Sequence, residues 1–427
     1  MGANFGSPLF VDVIFDRNMY DILVIGGGAA GFFTAINSAE KNPSLKIAIL
    51  EKGKDILTKV RISGGGRCNV THAEFIPQNL VKNYPRGEKE LLSPFHRFMC
   101  GDVMEWFESR GVALKTEDDG RVFPASNSSE TIIKCFIEQA KLHKVELFTE
   151  QNVTDFYYNE KFWEVRTTEQ KFLARKLVVT TGSNPKIWKI LTSLGHTIVK
   201  PVPSLFTFNT SDSFIKNLAG IAVNAEVLLR DKENKSLKIR NISPVLITHW
   251  GFSGPAILKL SAWGARILAE QNYQCILEVN WLVRGEETLN QEETLLILQE
   301  TKEKQARKML QNTPLFQLPK RLWGNLLQKS GVSPNELWSD LSKVQLRVLA
   351  EILTCSRFMI DGKSIFKEEF VTAGGVLLSE INFKTFESKL LKDLYLAGEV
   401  IDVDAITGGF NFQNAWTGAY LISESVS

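Results

Sequence analysis

The sequence predicts a mixed α/β protein: a three-layer domain on a parallel sheet, carrying an antiparallel β meander and interrupted by an insert. Three observations carry this. The run YDILVIGGGAAG at 20–31 is a short apolar strand entering a glycine turn, with a helical stretch and a second strand, 45–51, behind it. Between 145 and 181 the runs VELFTE, VTDFYYN, FWEVRTT and KFLARKLVVTT read as a strand, a small meander and a return to the sheet. The pattern changes after about 196, and a buried strand, LYLA at 394–397, then returns. A sheet interrupted and then closed by the last residues implies an insertion between roughly 197 and 356, with its two ends close together.

The opening unit has the spacing Gly26-x-Gly28-x-x-Gly31. Gly26 permits a sharp turn, Gly28 leaves room for a pyrophosphate to approach the backbone, and Gly31 lets the helix pack on the strand. The helix, expected over 29–41, points its N-terminus and free N–H groups at the phosphates. Glu51 ends the second strand, with Lys52 beside it, and is placed to accept hydrogen bonds from a ribose hydroxyl. Strand, turn, helix, strand and acidic end together specify a dinucleotide site.

A Gly-rich loop is expected at 58–72 (TKVRISGGGRCNVTH), then helices at about 92–110 and 127–143, the latter opening with NSSE, a capping-box signature. Residues 197–283 are strand-like and turn-rich, a compact β unit. Residues 284–356 are helical in period, with a Pro-marked turn (NTPLFQLP), and are expected to form a small bundle covering it. The expected domains are 19–196 with 357–427, and an insert of 197–283 plus 284–356. Residues 1–18, a leader ahead of Met19, lack a basic start and a cleavage site, and no role is assigned to them.

Composition narrows the function classes. Lys+Arg 50 against Asp+Glu 48 leaves a formal charge of +2, which recommends neither nucleic acid nor an anionic membrane as partner. The five cysteines are scattered without a C-x-x-C, which excludes a dithiol redox centre and a Cys-based zinc site and fits a reducing cytoplasm. The histidines are equally dispersed, so no metal site is expected, and no apolar run reaches the length of a spanning helix.

Two further segments choose the dinucleotide. SGGGRCN (63–69) offers exposed backbone to something planar or anionic, with Arg67 beside it. In AGEVIDVDAITGGFNFQNAWTGAYL (397–421) a strand ends at Gly398-Glu399, and Gly408-Gly409 opens a helix near Asn411. That N-terminus suits the negative charge of a reduced flavin's N1–C2=O edge, so a tightly held, non-covalent FAD is expected.

On these motifs, together with THWGFSGPAIL (248–258) and VTAGGVLLSEI (371–381), the chain resembles the bacterial aminoacetone oxidase-like, BaiN-like FAD-binding flavoproteins over about 19–427. The resemblance implies a glutathione-reductase-type, FAD/NAD(P)-binding Rossmann-like three-layer domain, split by an insert made of a β-barrel and a small helical bundle. It implies pyrophosphate contacts at Gly26, Gly28, Ala30 and Gly31, and a ribose contact at Glu51. Ser63, Gly64, Gly65, Arg67 and Cys68 would line the flavin loop, and Val153 would present its backbone to adenine. Thr181 and Gly182 would end the crossing strand, Gly398 and Glu399 would meet the ribityl phosphate, and Gly409, Phe410 and Asn411 the flavin ring. Three departures from the family pattern are Ser183 after Gly182, His72 after Thr71, and Ala405 before the TGG turn.

Catalytic residues are not legible, and the candidates are His249, Cys68, Asp402 and Asp404. Cys68 lacks a partner cysteine and reads as a small packing residue. Asp402 and Asp404 read as caps of the final helix, and Ser253-Gly254-Pro255 as a serine-capped helix start. Thr372, Gly374 and Gly375 are expected to form a turn apposed to the flavin, and Trp106, Trp163 and Trp263 to pack in cores. A second Gly-x-Gly-x-x-Gly after a strand is absent, so NAD(P)H would visit the flavin only transiently. The expected function is that of a cytoplasmic FAD-dependent oxidoreductase moving a hydride between flavin N5 and a small organic substrate, with NAD(P)H or oxygen as redox partner. The alternative is a structural or sensory FAD whose insert docks a protein. An RNA-modifying flavoenzyme is disfavoured by the near-neutral charge.

Overall fold

The computed structural model describes residues 19–285, 287–364 and 371–427. The leader 1–18 lies outside them, as do residue 286 and residues 365–370. The described residues divide into two compact units, one running up to Pro201 and resuming at Val371, the other beginning at Val202. The junction expected at 196/197 falls five residues before the first of these, and that expected at 356/357 fourteen before the second.

The first unit is built on one sheet. Its spatial order is Ile381–Asn382, Glu387–Ser388, Leu394–Leu396, Lys171–Val179, Met19–Ile25, Ile47–Leu50, Glu146–Phe148. The central pairs are parallel, with Val24 opposite both Ile49 and Val178, and Leu394 opposite Leu177. Val153–Tyr158, Trp163–Thr167 and Lys171–Val179 form the antiparallel meander. Ile22, Leu23 and Val24 are wholly buried, because both faces of a parallel sheet are covered.

On one face lies the helix Ala29–Lys41, buried continuously from Ala30 to Ala39. Phe33 sits among Trp106, Phe136 and Trp416, and Trp106 Nε1 donates to Asn37 Oδ1 at 3.0 Å. The expected helix over 92–110 is two, Glu88–Phe95 and Cys100–Glu108. The expected capping box at NSSE does not form. Ser128, not Asn127, caps the helix Ser129–Leu142, so Glu130 stands one position too early and pairs with Arg61.

The second unit is a seven-stranded antiparallel sheet among the described residues. Its order is Ser356–Ile360, Cys275–Asn280, Ala222–Arg230, Ser236–Ile247, Gly251–Ser253, Thr207–Asn209, Gly362–Ser364. The two edge strands are joined through Asp361 alone, which draws the ends of the sheet together. The helix Pro255–Glu270 packs on it, entered through Gly254 at φ +89 rather than through a serine cap. Trp263 faces outward at 43% exposure while Ala262, Ala265 and Leu268 face in, which corrects the expected core role. Helices Gln291–Lys304, Lys320–Lys329 and Lys343–Thr354 share the sheet's core, where Trp281, Trp323, Trp338 and Phe358 are buried together.

Candidate functional site

Three glycine turns from distant parts of the first unit meet around the N-terminus of the helix Ala29–Lys41. The first is the opening one. Gly26 stands at φ +113, where a Cβ would lie 2.6 Å from the Thr180 carbonyl oxygen. A Cβ on Gly31 would run into the Gly26 carbonyl oxygen, so both glycines are required by close approach of backbone. Gly28 differs. It is the extended N-cap, has no side-chain cap, and has open space where its Cβ would be. The first-turn N–H groups of this helix therefore face an open, uncapped end.

Glu51 closes the second strand and organises the same turn. Its Oε2 accepts from Gly27 N–H at 2.8 Å and its Oε1 from Gly53 N–H at 2.9 Å, while Lys52 beside it is exposed. Each carboxylate oxygen keeps lone-pair capacity for a further donor. Val153 opens a meander strand and is buried, opposite Thr167.

The second turn follows a helical segment, since Thr58–Gly66 is helical up to a kink at Ser63. Gly64, Gly65 and Gly66 then take φ of +57, +67 and +83, and space is open at the Cβ positions of Gly65 and Gly66. Arg67 lies on the Phe123 ring, 3.9 Å from its centroid, and donates to Glu117 Oε1 at 2.6 Å. Cys68 is wholly buried, and burial pushes its thiol up to about 12, leaving no thiolate to attack a substrate near neutral pH.

The third turn is the closing one. A Cβ on Gly398 would lie 3.8 Å from Ala30 Cβ, beside the opening helix. Glu399 pairs with Lys59 of the second turn, and a Cβ on Gly182 would sit 3.6 Å from Glu399 Oε2. Gly409, at φ +97, is the N-cap of the helix Phe410–Val426, and its Cβ would fall 2.6 Å from the Thr71 carbonyl. The Asn411 side chain closes this turn by accepting from Ala405 N–H at 3.0 Å and donating to Ala405 O at 3.2 Å. Its carboxamide is thus committed, and what it offers a ligand is backbone. The Phe410 ring stacks on His72 at 4.5 Å, and His72 Nδ1 lies 3.1 Å from Gly408 O.

Several expectations change. Asp402 and Asp404 do not cap the final helix, whose N-cap is Gly409; Asp404 is wholly buried and paired with Arg86 through both carboxylate oxygens. Thr372, Gly374 and Gly375 lie in the strand Val371–Val376 rather than a turn. Both glycines are needed there because a Cβ would meet Pro201 Cα at 2.5 Å and Ile401 C at 2.7 Å. His249 is exposed in the turn between Ser236–Ile247 and Gly251–Ser253, in the second unit.

Near the turns, buried oxygens lack partners: Asn69 Oδ1 beside Gly409, Thr181 Oγ1 next to Gly182, and Asn414 Oδ1 in the closing helix. Buried polar groups are ordinarily satisfied, so orphans in one region point to a ligand's hydrogen bonds. Asn69, Thr71 and Gln413 were not singled out from sequence, although Asn69 stands within the glycine motif. Open backbone at Gly28, Gly65 and Gly66, an uncapped helix N-terminus and these orphans fit a flavin dinucleotide. Among the described residues, His, Cys, Asp and Glu are not grouped to hold a metal ion, and no helix is long and apolar enough to cross a membrane.

The family model for the HI0933-like protein Rossmann domain matches residues 20–425. The chain belongs to this family. Its fold is mixed α/β with a Rossmann-type FAD-binding domain, and the family is one of FAD-binding oxidoreductases. The chain is 28% identical over 419 residues to a ribosomal RNA dihydrouridine synthase from Haemophilus influenzae, covering 95% of this chain and 98% of that one. It is 27% identical over 419 residues to a 3-dehydro-bile acid delta(4,6)-reductase from Clostridium scindens, covering 96% and 99%. A ribosomal RNA dihydrouridine synthase from Escherichia coli is 26% identical, covering 95% and 98%. Among solved structures, the 3-ketosteroid-delta4-(5alpha)-dehydrogenase of Rhodococcus jostii RHA1 shares the fold at a TM-score of 0.51 and 11% identity, covering 96% of each chain.

Proposed function

We propose that this protein is an FAD-dependent oxidoreductase acting on a carbon–carbon double bond conjugated to a carbonyl, in a small organic substrate. The observation that carries the reading is the approach of three glycine turns to one another, two of them opening uncapped helices, with partnerless buried oxygens beside them. FAD, when bound, supplies hydride chemistry at N5. The chain supplies the rest. N–H groups at Gly28, Ala30 and Gly31 hold the pyrophosphate, and Glu51 accepts from the ribose. Ser63, Gly64 and Gly65 would pass backbone along the ring, and Gly398 and Glu399 would meet the ribityl end. Gly409, Phe410 and Asn411 present the closing helix N-terminus, whose dipole favours negative charge.

The substrate class rests on what two relatives are named for. A delta(4,6)-reductase of a 3-oxo bile acid saturates an alkene polarised by a ketone. Making dihydrouridine saturates a uracil 5,6 bond polarised by the 4-carbonyl. One chemistry, hydride to the far alkene carbon and proton to the near one, serves both. NAD(P)H is the proposed transient reductant, with oxygen as the alternative partner, and the cytoplasm the proposed location.

Purified protein loaded with FAD and mixed anaerobically with NADH or NADPH should lose its yellow colour within minutes, and a 4-ene-3-ketosteroid should restore it. If neither nicotinamides nor amines bleach it, the oxidoreductase reading falls. A second reading, in which the alkene is a uracil of ribosomal RNA, is favoured by the names of two relatives at 28% and 26% identity. Against it stands the formal charge of +2. Unmodified ribosomal RNA that recolours the reduced protein and gains two hydrogens at a uridine would select this second reading.

A further inference from the structure

We propose that the buried Arg86–Asp404 ion pair positions the flavin, fixing the register of the closing turn and the charge that turn presents to the cofactor. The inference rests on the FAD reading above. Residues 83–87 hold the closing turn at four places. Asn83 O accepts from Ile406 N–H at 2.9 Å, and Tyr84 Oη donates to Phe410 O at 2.6 Å. Arg86 Nε and Nη2 donate to the two carboxylate oxygens of Asp404, and the same two residues form an isolated antiparallel bridge. Gly87, at φ +98, lies so close that a Cβ would meet Val403 Cγ2 at 2.9 Å.

Everything in this contact is sequestered: Tyr84 and Asp404 are wholly buried, and Arg86 is 8% exposed. A buried ion pair gains little over apolar residues of similar size, because both charges must leave water. Its bidentate geometry does fix direction and spacing, which a point contact would not. Asp404 is followed by Ala405, the residue clasped by Asn411, and by Gly408 and Gly409, which open the helix Phe410–Val426. The pair therefore anchors the start of the turn whose end presents free N–H groups to the flavin's pyrimidine edge. Balanced, the pair adds no net charge to the turn. Unbalanced, it would act in a low-dielectric interior where charge is felt strongly.

The test uses the full chain loaded with FAD, reading the flavin midpoint potential, the FAD dissociation constant and thermal stability. In Asp404→Asn the Arg86 guanidinium loses the carboxylate that grips it through two oxygens, so the potential is expected to rise. In the double variant R86M/D404L both charges are gone, so the potential should return to the wild-type value. FAD should nevertheless bind about tenfold more weakly, the equivalent of one strong hydrogen bond. Arg86→Lys keeps the charge but loses the fork, so it should leave the potential unchanged while loosening FAD. A purely structural pair would instead give equal potentials in D404N and R86M/D404L, and that result overturns the electrostatic part. Wild-type affinity in both R86K and the double variant overturns the positioning part, and these two variants carry the test if D404N does not fold. Wild-type protein that takes up no FAD would instead overturn the underlying FAD reading.

Discussion

The two units bury different kinds of polar group. Among the described residues of the second unit the buried polar ones are serines and threonines: Thr294, Thr301 and Ser330 bond to carbonyls three or four residues back, while Thr207 and Thr210 bond to the distant carbonyls of Ser364 and Met359. In the first unit the interior also holds Asn37, Asn69, Arg86, Asp402, Asp404, Gln413 and Asn414. A hydroxyl returned to its own helix costs little and specifies little. Amides and charges must find partners across the chain, and unpartnered ones are expensive. The second unit is thus organised by apolar packing. The first accepts a more polar interior, part of it beside the turns of the proposed cofactor site.

This contrast can be broken from either side. The largest effect is expected in the second unit, where Trp323→Ala removes a wholly buried ring donating to Leu310 O at 2.7 Å. A loss of about 3–5 kcal/mol should appear in calorimetry, with FAD content per folded protein unchanged. Lost FAD at full stability would mean that the second unit's core governs the site.

Next come two glycines of one motif. Gly31→Ala drives a methyl into the Gly26 carbonyl and should cost about 3 kcal/mol in urea unfolding, with or without FAD. Gly28→Ala meets open space, so stability without cofactor should stay within about 0.5 kcal/mol. FAD affinity should fall at least tenfold there, because the methyl occupies the pyrophosphate's approach. Equal behaviour of the two would erase the distinction between a packing and a binding glycine.

Glu51→Ala leaves the Gly27 and Gly53 N–H groups without their acceptor. A stability loss of about 1–3 kcal/mol is expected, smaller than for Gly31→Ala, and visible in thermal melts before FAD is added.

The smallest effect is a pH slope. Burial would raise the Glu278 carboxyl, but hydrogen bonds from Arg230 and Arg357 outweigh it and hold the group at about 2, below its ordinary 4.5. A depressed carboxyl stabilises fully above its unfolded value and loses that contribution as pH falls through its folded value. Stability should therefore decline between about pH 4.5 and 2, and Glu278→Gln should flatten that decline. An unchanged acid limb in the variant would show the pair contributes nothing there.

The elements legible in the sequence are those with local causes. The helix Ala29–Lys41, the strands around it, the meander and the late strand Leu394–Leu396 follow from periodicity and from glycine spacing that only one backbone path satisfies. Local rules misplaced what the neighbours decide. NSSE reads as a capping box, but the helix starts one residue later, where Glu130 reaches Arg61. Thr372 to Gly375 read as a turn, but the glycines serve close strand packing against Pro201 and Ile401.

What the sequence alone determined is the dinucleotide turn, because a tight bend, a bare backbone and a close helix–strand contact each demand glycine at a set spacing. What only tertiary structure decided is which remote residues pair: Arg86 with Asp404, Tyr84 with Phe410, His72 with Gly408, and the run from Ser388 through His196 to Glu380. Those partners stand between 184 and 336 residues apart in the chain. Nothing in a residue's immediate neighbours records such a partner, because a buried charge or amide is selected by whatever the folded chain places opposite it.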